Sequence, residues 1–161
     1  MATQSGRGQM ISILLATYNW PQALKLCLES LATQTDRDFE IIIADDGSTH
    51  NTTQLIDSYK DILPITHLWQ EDQGFRKTKI LNQAIEHAKG EYLVFLDGDC
   101  ITQPDFVAQH RALSQKGFLV TGSRVLLNEQ LTKELTSSGH WNYKIFKSHL
   151  LQYRLTGQIN K

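Results

Sequence analysis

Hydrophobic residues along this chain gather in short unbroken runs, separated by stretches where they recur every three or four positions. "ISILLAT" at 11–17 is one such run, and its continuity predicts a strand buried on both faces. Pro21 suits a first helical turn. Leu24, Cys27, Leu28 and Leu31 follow at i, i+3, i+4 and i+7, the buried stripe of a helix. "FEIIIAD" at 39–45 predicts a second buried strand, which "DDGSTHN" closes with turn and cap residues. Leu55, Ile56 and Tyr59 suggest a short helix, and "ITHLWQ" at 65–70 a weaker third strand. Leu81, Ala84, Ile85 and Ala88 return to helical spacing and end near Gly90, a candidate C-terminal cap. "YLVFL" at 92–96 is a fourth strand. "QPDFVAQHRALSQKG" reads as a helix with an early proline and a closing glycine, and "FLVTGSRVLL" at 118–127 as further strand.

Strand and helix alternate, with connections too long for hairpins, which implies a parallel sheet with helices on its faces. At 161 residues the chain suits one domain with a proper core. In such sheets ligands bind beyond the carboxyl ends of the strands, near a reversal of strand order.

Charge and cysteine usage narrow the function classes. The net charge of −1 gives no global electrostatic case for nucleic acid. Cys27 and Cys100 lie far apart with no C-x-x-C, which fits a reducing compartment. "MATQSGRGQM" lacks the pattern of a secretory signal, and no apolar run approaches the ~20 residues needed to span a bilayer. The expectation is a soluble, cytoplasmic chain. From Lys133 to Lys161 the charged residues are mostly basic, with Tyr143, Phe146, Leu150 and Tyr153 among them at helical spacing. Two readings stay open for this segment. It is an amphipathic helix packed on the domain with its lysines in water, or it meets an anionic partner or the inner face of a membrane.

Polar residues collect where each buried run stops. The four ends are "TYNW", "DDGST", "QEDQGFR" and "DGDC", which place Asp45, Asp46, Glu71, Asp72, Arg76, Asp97 and Asp99 on one rim. Asp45 also reads as a turn brace for Ser48 and Thr49. Asp97 and Asp99 are two apart, so in an extended chain their side chains face the same way. Gly98 between them allows a ligand close to the backbone. Two like charges about 5 Å apart at an effective dielectric near 20 repel by roughly 3 kcal/mol. A hard divalent cation, Mg²⁺ or Mn²⁺, removes that cost and completes its shell with phosphate and water. D-x-D alone is a common pattern. The glycine-rich phosphate cradles G-x-x-x-x-G-K-[ST] and G-x-G-x-x-G are absent, so any bound nucleotide must be held by side chains and metal. Arg76, Lys77 and Lys79 open the helix after the third strand, where anions are favoured. His140 and Trp141 in "SSGHWNY" form either a loop over the site or a plain surface loop, and His67 and His110 read as packing or surface residues.

"ISILLATYN", "FEIIIADDGSTHNT", "EDQGFRKTKILNQAIEHAKGEYLVFLDGD" and "ITQPDFV", in that order over residues 11 to 107, resemble the family 2 inverting glycosyltransferases. The "EDQGFR" stretch is similar to the chondroitin-polymerase-like, polysaccharide and lipopolysaccharide branch. The resemblance implies a GT-A fold, a Rossmann-like three-layer α/β/α sandwich with a mostly parallel sheet. It implies a flexible N-terminus at 1–10, a nucleotide-sugar-binding domain at 11–130 and an amphipathic helical segment of the same domain at 131–161. The implied activity is transfer from a nucleotide-sugar, commonly a UDP-sugar, to a saccharide or glycolipid acceptor with inversion, dependent on Mn²⁺ or Mg²⁺. By the same resemblance Thr17, Tyr18, Asp45, Asp46, Arg76, Lys79 and Asp97 hold the nucleotide, and Asp99 with Asp97 holds the metal. Asn82 would lie one helical turn further on. One departure stands out. After Phe106 the only carboxylates are Glu129 and Glu134, neither in the acidic context where this family places its acceptor-side base. The expectation is therefore a donor-binding part of a longer enzyme, with its base beyond Lys161. The alternatives are a non-catalytic sugar-nucleotide-binding module and a nucleotidyltransferase, although "ATYNWPQ" is not the latter's basic glycine-rich loop.

Overall fold

The computed structural model describes residues 10–160. Apart from Met10, the expected flexible N-terminus lies outside them. Four strands, β1 (Ile11–Thr17), β2 (Phe39–Asp45), β3 (Ile65–Trp69) and β4 (Tyr92–Asp97), alternate with α1 (Pro21–Ala32), α2 (His50–Tyr59) and α3 (Lys77–His87). The chain continues through α4 (Phe106–Leu113), β5 (Leu126–Leu127), α5 (Glu129–Ser138), α6 (Tyr143–Leu155) and β6 (Ile159–Asn160). The first four strands form one parallel sheet in the order β3-β2-β1-β4.

Burial explains the two unbroken runs. β1 and β2 occupy the middle of the sheet and are buried at every position. Ile11, Ile13, Leu15, Phe39, Ile41 and Ile43 face one layer, with Leu24, Cys27, Leu28 and Leu31 of α1, Ile56 of α2 and Val107 of α4. Leu14, Ile42 and Ala44 face the other way, onto Ile80 and Ala84 of α3. That is the three-layer α/β/α sandwich the alternation predicts. Ser12 is the polar interruption in β1, and its hydroxyl donates to the buried Glu40 at 2.7 Å. Glu40 also accepts from the Lys89 amide at 2.7 Å, so the acid is satisfied.

Register sets the site. Thr17 stands opposite Asp45, and Ala16 opposite Asp97, so three strands end level with one another. From β1 the chain adds β2 and β3 on one side, then crosses to place β4 on the other. The strand order therefore reverses between β1 and β4, where a crevice opens in sheets of this kind.

Several local expectations need correction. Residues 118–127 are strand only at Leu126–Leu127, which pairs antiparallel with β6, apart from the main sheet. Gly122, Ser123 and Arg124 interrupt the run, and Phe118 and Leu119 stay exposed without a helix or strand to cover them. α4 begins at Phe106, after Pro104, and ends at Leu113. Gly90 is not the cap of α3, which ends at His87 with Ala88 as its C-cap. A Cβ there would sit 2.6 Å from the Met10 carbonyl oxygen, so glycine is needed for close approach to β1. In α5, Asn128 accepts from the Leu131 amide at 2.9 Å and Gly139 closes the helix with φ +62°. No residue of α6 is buried. Its aromatic stripe stacks locally instead, Phe146 lying 5.0 Å from Trp141 and 5.6 Å from Tyr153 between ring centroids. No helix among the described residues is long and apolar enough to cross a membrane.

Candidate functional site

A cleft of about 380 Å³ opens at the carboxyl ends of β1 and β4. Ala16, Thr17, Tyr18 and Trp20 form the wall that continues β1, and Asp97, Gly98 and Asp99 the wall that continues β4. Asp46 beyond β2, Asp72, Gly74 and Phe75 from the loop after β3, and Lys77 at the start of α3 complete the lining.

The carboxylate pair converges through a turn. β4 stops at Asp97, and the Cys100 amide donates to the Asp97 carbonyl at 2.9 Å. One side-chain donor atom each from Asp97, Asp99 and Cys100 lies within 4.8 Å of the others. The two aspartates thus meet as expected, but a turn brings them together where an extended strand was foreseen. Gly98 lines the cleft and also packs closely on β1. Its amide donates to the Ala16 carbonyl at 2.7 Å, and a Cβ would lie 3.0 Å from that oxygen and 3.3 Å from the Thr17 Cβ.

The donor set suits a hard cation. Burial and then the neighbouring Asp99 charge push the Cys100 thiol up, so it stays protonated, and it donates weakly to Asp99 Oδ1 at 3.7 Å. Two carboxylates remain as ligands, the number that Mg²⁺ or Mn²⁺ takes when phosphate and water fill its shell. The like-charge repulsion of an isolated pair is relieved here by cations. Lys77 Nζ pairs with Asp97 Oδ1, and Arg124 Nη1 stands 3.9 Å from Asp97 Oδ2.

Behind the cleft lies a brace. Asp45 is fully buried; its Oδ1 accepts from the Ser48 amide at 2.8 Å, and its Oδ2 takes the His67 Nε2 at 3.1 Å. The Thr49 half of the foreseen brace belongs to Asn19, whose Oδ1 accepts from the Thr49 amide at 2.9 Å. Asn19 has φ +45°, a left-handed conformation that asparagine tolerates, and its amide donates to Ser48 Oγ at 2.9 Å. The ends of β1 and β2 are thereby tied together. Asp46 ties β2 to α3: Oδ1 accepts from Gln70 Nε2, and Oδ2 from the Arg76 amide at 2.8 Å. Gly47 has φ +97°, and a Cβ there would meet the Asp72 backbone at 2.7 Å, so the loops after β2 and β3 touch only because it is glycine.

At the mouth, the Tyr18 hydroxyl donates to Asp72 Oδ2 at 2.8 Å. That bond raises the phenol's pKa and lowers that of the Asp72 carboxyl. Tyr18, Trp20 and Phe75 all present exposed rings, Phe75 at 87%.

The cleft gathers Thr17, Tyr18, Asp46, Asp97 and Asp99. Asp45, Arg76 and Lys79 do not line it. Arg76 turns its guanidinium back on its own loop, Nη1 donating to Gln73 Oε1 at 2.8 Å and Nη2 to the Glu71 carbonyl. Lys79 is exposed. The cation in the cleft is Lys77, two residues earlier. Sequence reasoning also missed the roles of Trp20, Phe75, Arg124 and His67. Trp20 had a readable signal, since it follows Tyr18 by two just beyond a buried strand. His140 and Trp141 dock on α1, the Trp141 amide donating to Glu29 Oε2 at 2.8 Å, and neither lines the cleft. His110 packs edge-on against Phe106 at 4.6 Å, as expected, and burial lowers its pKa.

Comparison with known proteins agrees with this geometry. The description "Glycosyl transferase family 2" matches residues 12–159. Validoxylamine A glucosyltransferase of Streptomyces hygroscopicus subsp. jinggangensis is 37% identical over 100 residues, 61% of this chain and 24% of that protein. Chondroitin synthase of Escherichia coli is 33% identical over 104 residues, 64% of this chain and 15% of that protein. The chain spans at most 28% of the length of the first curated relatives it matches. Among solved structures, S. aureus TarS 1–349 in complex with UDP-GlcNAc superposes with TM-score 0.60 at 28% identity, covering 64% of this chain and 30% of that one. The mannosyltransferase PcManGT from Pyrobaculum calidifontis, in complex with GDP-Man and Mn²⁺, gives TM-score 0.58 at 26% identity, covering 66% and 32%. With a GT-A sandwich, a cleft at the strand reversal and a family match over almost its whole length, the chain belongs to glycosyl transferase family 2.

Proposed function

We propose that this chain binds a nucleotide-sugar, a UDP-sugar first among them, and supplies the donor side of a metal-dependent, inverting glycosyl transfer. The acceptor in this reading is a saccharide or glycolipid. The single observation that carries it is the meeting of the Asp97 and Asp99 carboxylates in the crevice where the sheet reverses. Asp99 would hold the cation, and Asp97 would share it or face the ribose. When bound, Mn²⁺ or Mg²⁺ would neutralise the charge that develops on the leaving diphosphate. Thr17 and Tyr18 would line the nucleotide pocket, and the open rings of Tyr18 and Trp20 offer faces for base or sugar. Asp46 would approach the base while bracing α3. Asp45 and Arg76 would act from behind, by shaping the loops that hold the nucleotide, and Lys79 would meet it only from the exposed start of α3.

The nucleotide-sugars named with TarS and PcManGT support the donor class, and they differ in base. Similarity to chondroitin synthase supports the polysaccharide-building branch. One observation favours a second reading, a module that binds donor without transferring it. Among the described residues, Glu129 pairs with Lys133, Glu134 accepts from Gln130, both lie on α5, and neither lines the cleft. The two carboxylates beyond α4, where an acceptor-side base was expected, thus do not reach the cleft. A nucleotidyltransferase fits neither the family nor the loop after β1.

Calorimetric titration of UDP, GDP and CMP with and without Mn²⁺, followed by a donor-hydrolysis assay, tests the proposal. The expected outcome is UDP binding that depends on Mn²⁺, at least about tenfold weaker in Asp99→Ala, with little turnover. Equal binding by Asp99→Ala would remove the metal assignment. Robust transfer by these 161 residues would refute the donor-side restriction.

A further inference from the structure

The cleft already contains a cation of its own. Lys77 is the first residue of α3, lines the cleft and pairs with Asp97 Oδ1, while Arg124 approaches the other oxygen to 3.9 Å. Both oxygens of Asp97 therefore have a positive partner, whereas among the described residues Asp99 has only the weak thiol contact from Cys100. The acidic pair is electrostatically lopsided: one member is neutralised from within, the other is left for whatever binds. The Lys77 and Asp97 side chains are 35% and 42% exposed. An ion pair so open to water is weak and exchanges partners readily.

A dication arriving alone must take Asp97 from an ammonium at close range, and the two positive charges repel. A diphosphate arriving with the dication reverses the balance, because its oxygens give the displaced ammonium a new anion. Lysine suits such a handover: it is a compact charge on a flexible four-carbon stem. We propose that Lys77 is an internal counter-ion that couples the two ligands. It holds Asp97 in the free protein and passes to the diphosphate when the cation takes Asp97, so that metal and nucleotide bind together. This inference rests on the donor-binding function proposed above and gives Lys77 a positioning role that Arg76 and Lys79 do not share. Linkage makes it measurable, since the factor by which UDP tightens Mn²⁺ must equal the factor by which Mn²⁺ tightens UDP.

The experiment follows free Mn²⁺ by electron paramagnetic resonance during titration, with and without UDP, in the wild type, Lys77→Met, Lys77→Arg and Asp99→Asn. In the wild type Mn²⁺ alone binds weakly and UDP tightens it by about tenfold or more. Lys77→Met binds Mn²⁺ alone about fivefold more tightly, and the tightening by UDP falls by about fivefold. Lys77→Arg keeps the wild-type coupling, because the charge remains. Unchanged or weaker Mn²⁺ binding by Lys77→Met in the absence of UDP, or undiminished coupling, would overturn the inference. Asp99→Asn separates the two levels. If it loses Mn²⁺ while Lys77→Met behaves as wild type, only the counter-ion role falls. If it binds Mn²⁺ as wild type does, the metal site and the counter-ion fall together.

Discussion

The parallel sheet and the residues beyond α4 are built on different terms. In the sheet, β1 and β2 expose nothing, and the residues that end them are fastened to one another by Asp45, Asp46, Asn19 and Ser48. Beyond Leu113, Leu131 and Ile159 are the buried hydrophobics among the described residues, while Phe118, Leu119, Leu151 and Leu155 lie open. That region is held by an aromatic stack, a two-stranded ladder, the packing of α5 on α1 and the contacts of His140 and Trp141 to Glu29. The difference locates rigidity. Positioning two carboxylates and a lysine needs a floor that cannot shift, and a close-packed interior supplies it. The later region contributes one charge to the site, Arg124, from a segment without regular structure.

Substitutions should sharpen this contrast, the core first. Leu15→Ala, at a fully buried site between α1 and the sheet, should cost about 2–5 kcal/mol in chemical denaturation. Leu151→Ala, on the open face of α6, should stay within about 0.5 kcal/mol. Comparable losses at the two sites would erase the distinction. Asp45→Ala comes next. It leaves the buried Ser48 amide and His67 without their acceptor, which should cost about 1–3 kcal/mol. UDP affinity should fall too, although Asp45 does not line the cleft. Stability lost with UDP binding intact would confine the brace to folding.

Much of this was legible beforehand. Fully buried strands leave unbroken apolar runs, so β1, β2 and the carboxylates that end β4 could be read directly. The identity of the cleft cation could not. Arg76, Lys77 and Lys79 lie within one helical turn, and which of them faces the cleft depends on how α3 is rotated by Ile80 and Ala84 against the sheet. His67 was obscure for a similar reason: its partner Asp45 is 22 residues away in sequence, brought near by the β2–β3 pairing. The run at 118–127 misled because apolar content alone does not provide a neighbouring strand.

A smaller effect concerns pH. Hydrogen bonding and charge from Arg111 hold the Asp36 carboxyl below its ordinary pKa, and Arg111 Nε donates to Asp36 Oδ2 at 2.6 Å. A depressed folded-state pKa means the pair's contribution is complete above the unfolded-state value and fades as pH falls through the folded one. Urea denaturation at about pH 7 and about pH 3 should show a smaller acid-induced loss in Asp36→Asn than in the wild type. An equal loss would show that the pair carries no linked stability. The smallest effect belongs to α6. Lys144, Lys147 and Arg154 beside open Leu151 and Leu155 support the proposal of peripheral contact with an anionic membrane. Sedimentation with phosphatidylglycerol vesicles should retain the wild type more than the double variant Lys144→Glu, Lys147→Glu, by a few-fold at low salt. Equal retention would dismiss that contact.

The central claim is that Asp99 anchors a divalent cation in the β1–β4 crevice, and anomalous scattering from crystals grown with MnCl₂ and UDP addresses it directly. The account predicts a manganese peak about 2.2 Å from an Asp99 oxygen, with a diphosphate oxygen on its other side and Lys77 Nζ moved from Asp97 to the phosphates. UDP in the cleft with no manganese at Asp99, or manganese bound elsewhere while Lys77 still holds Asp97, would contradict it.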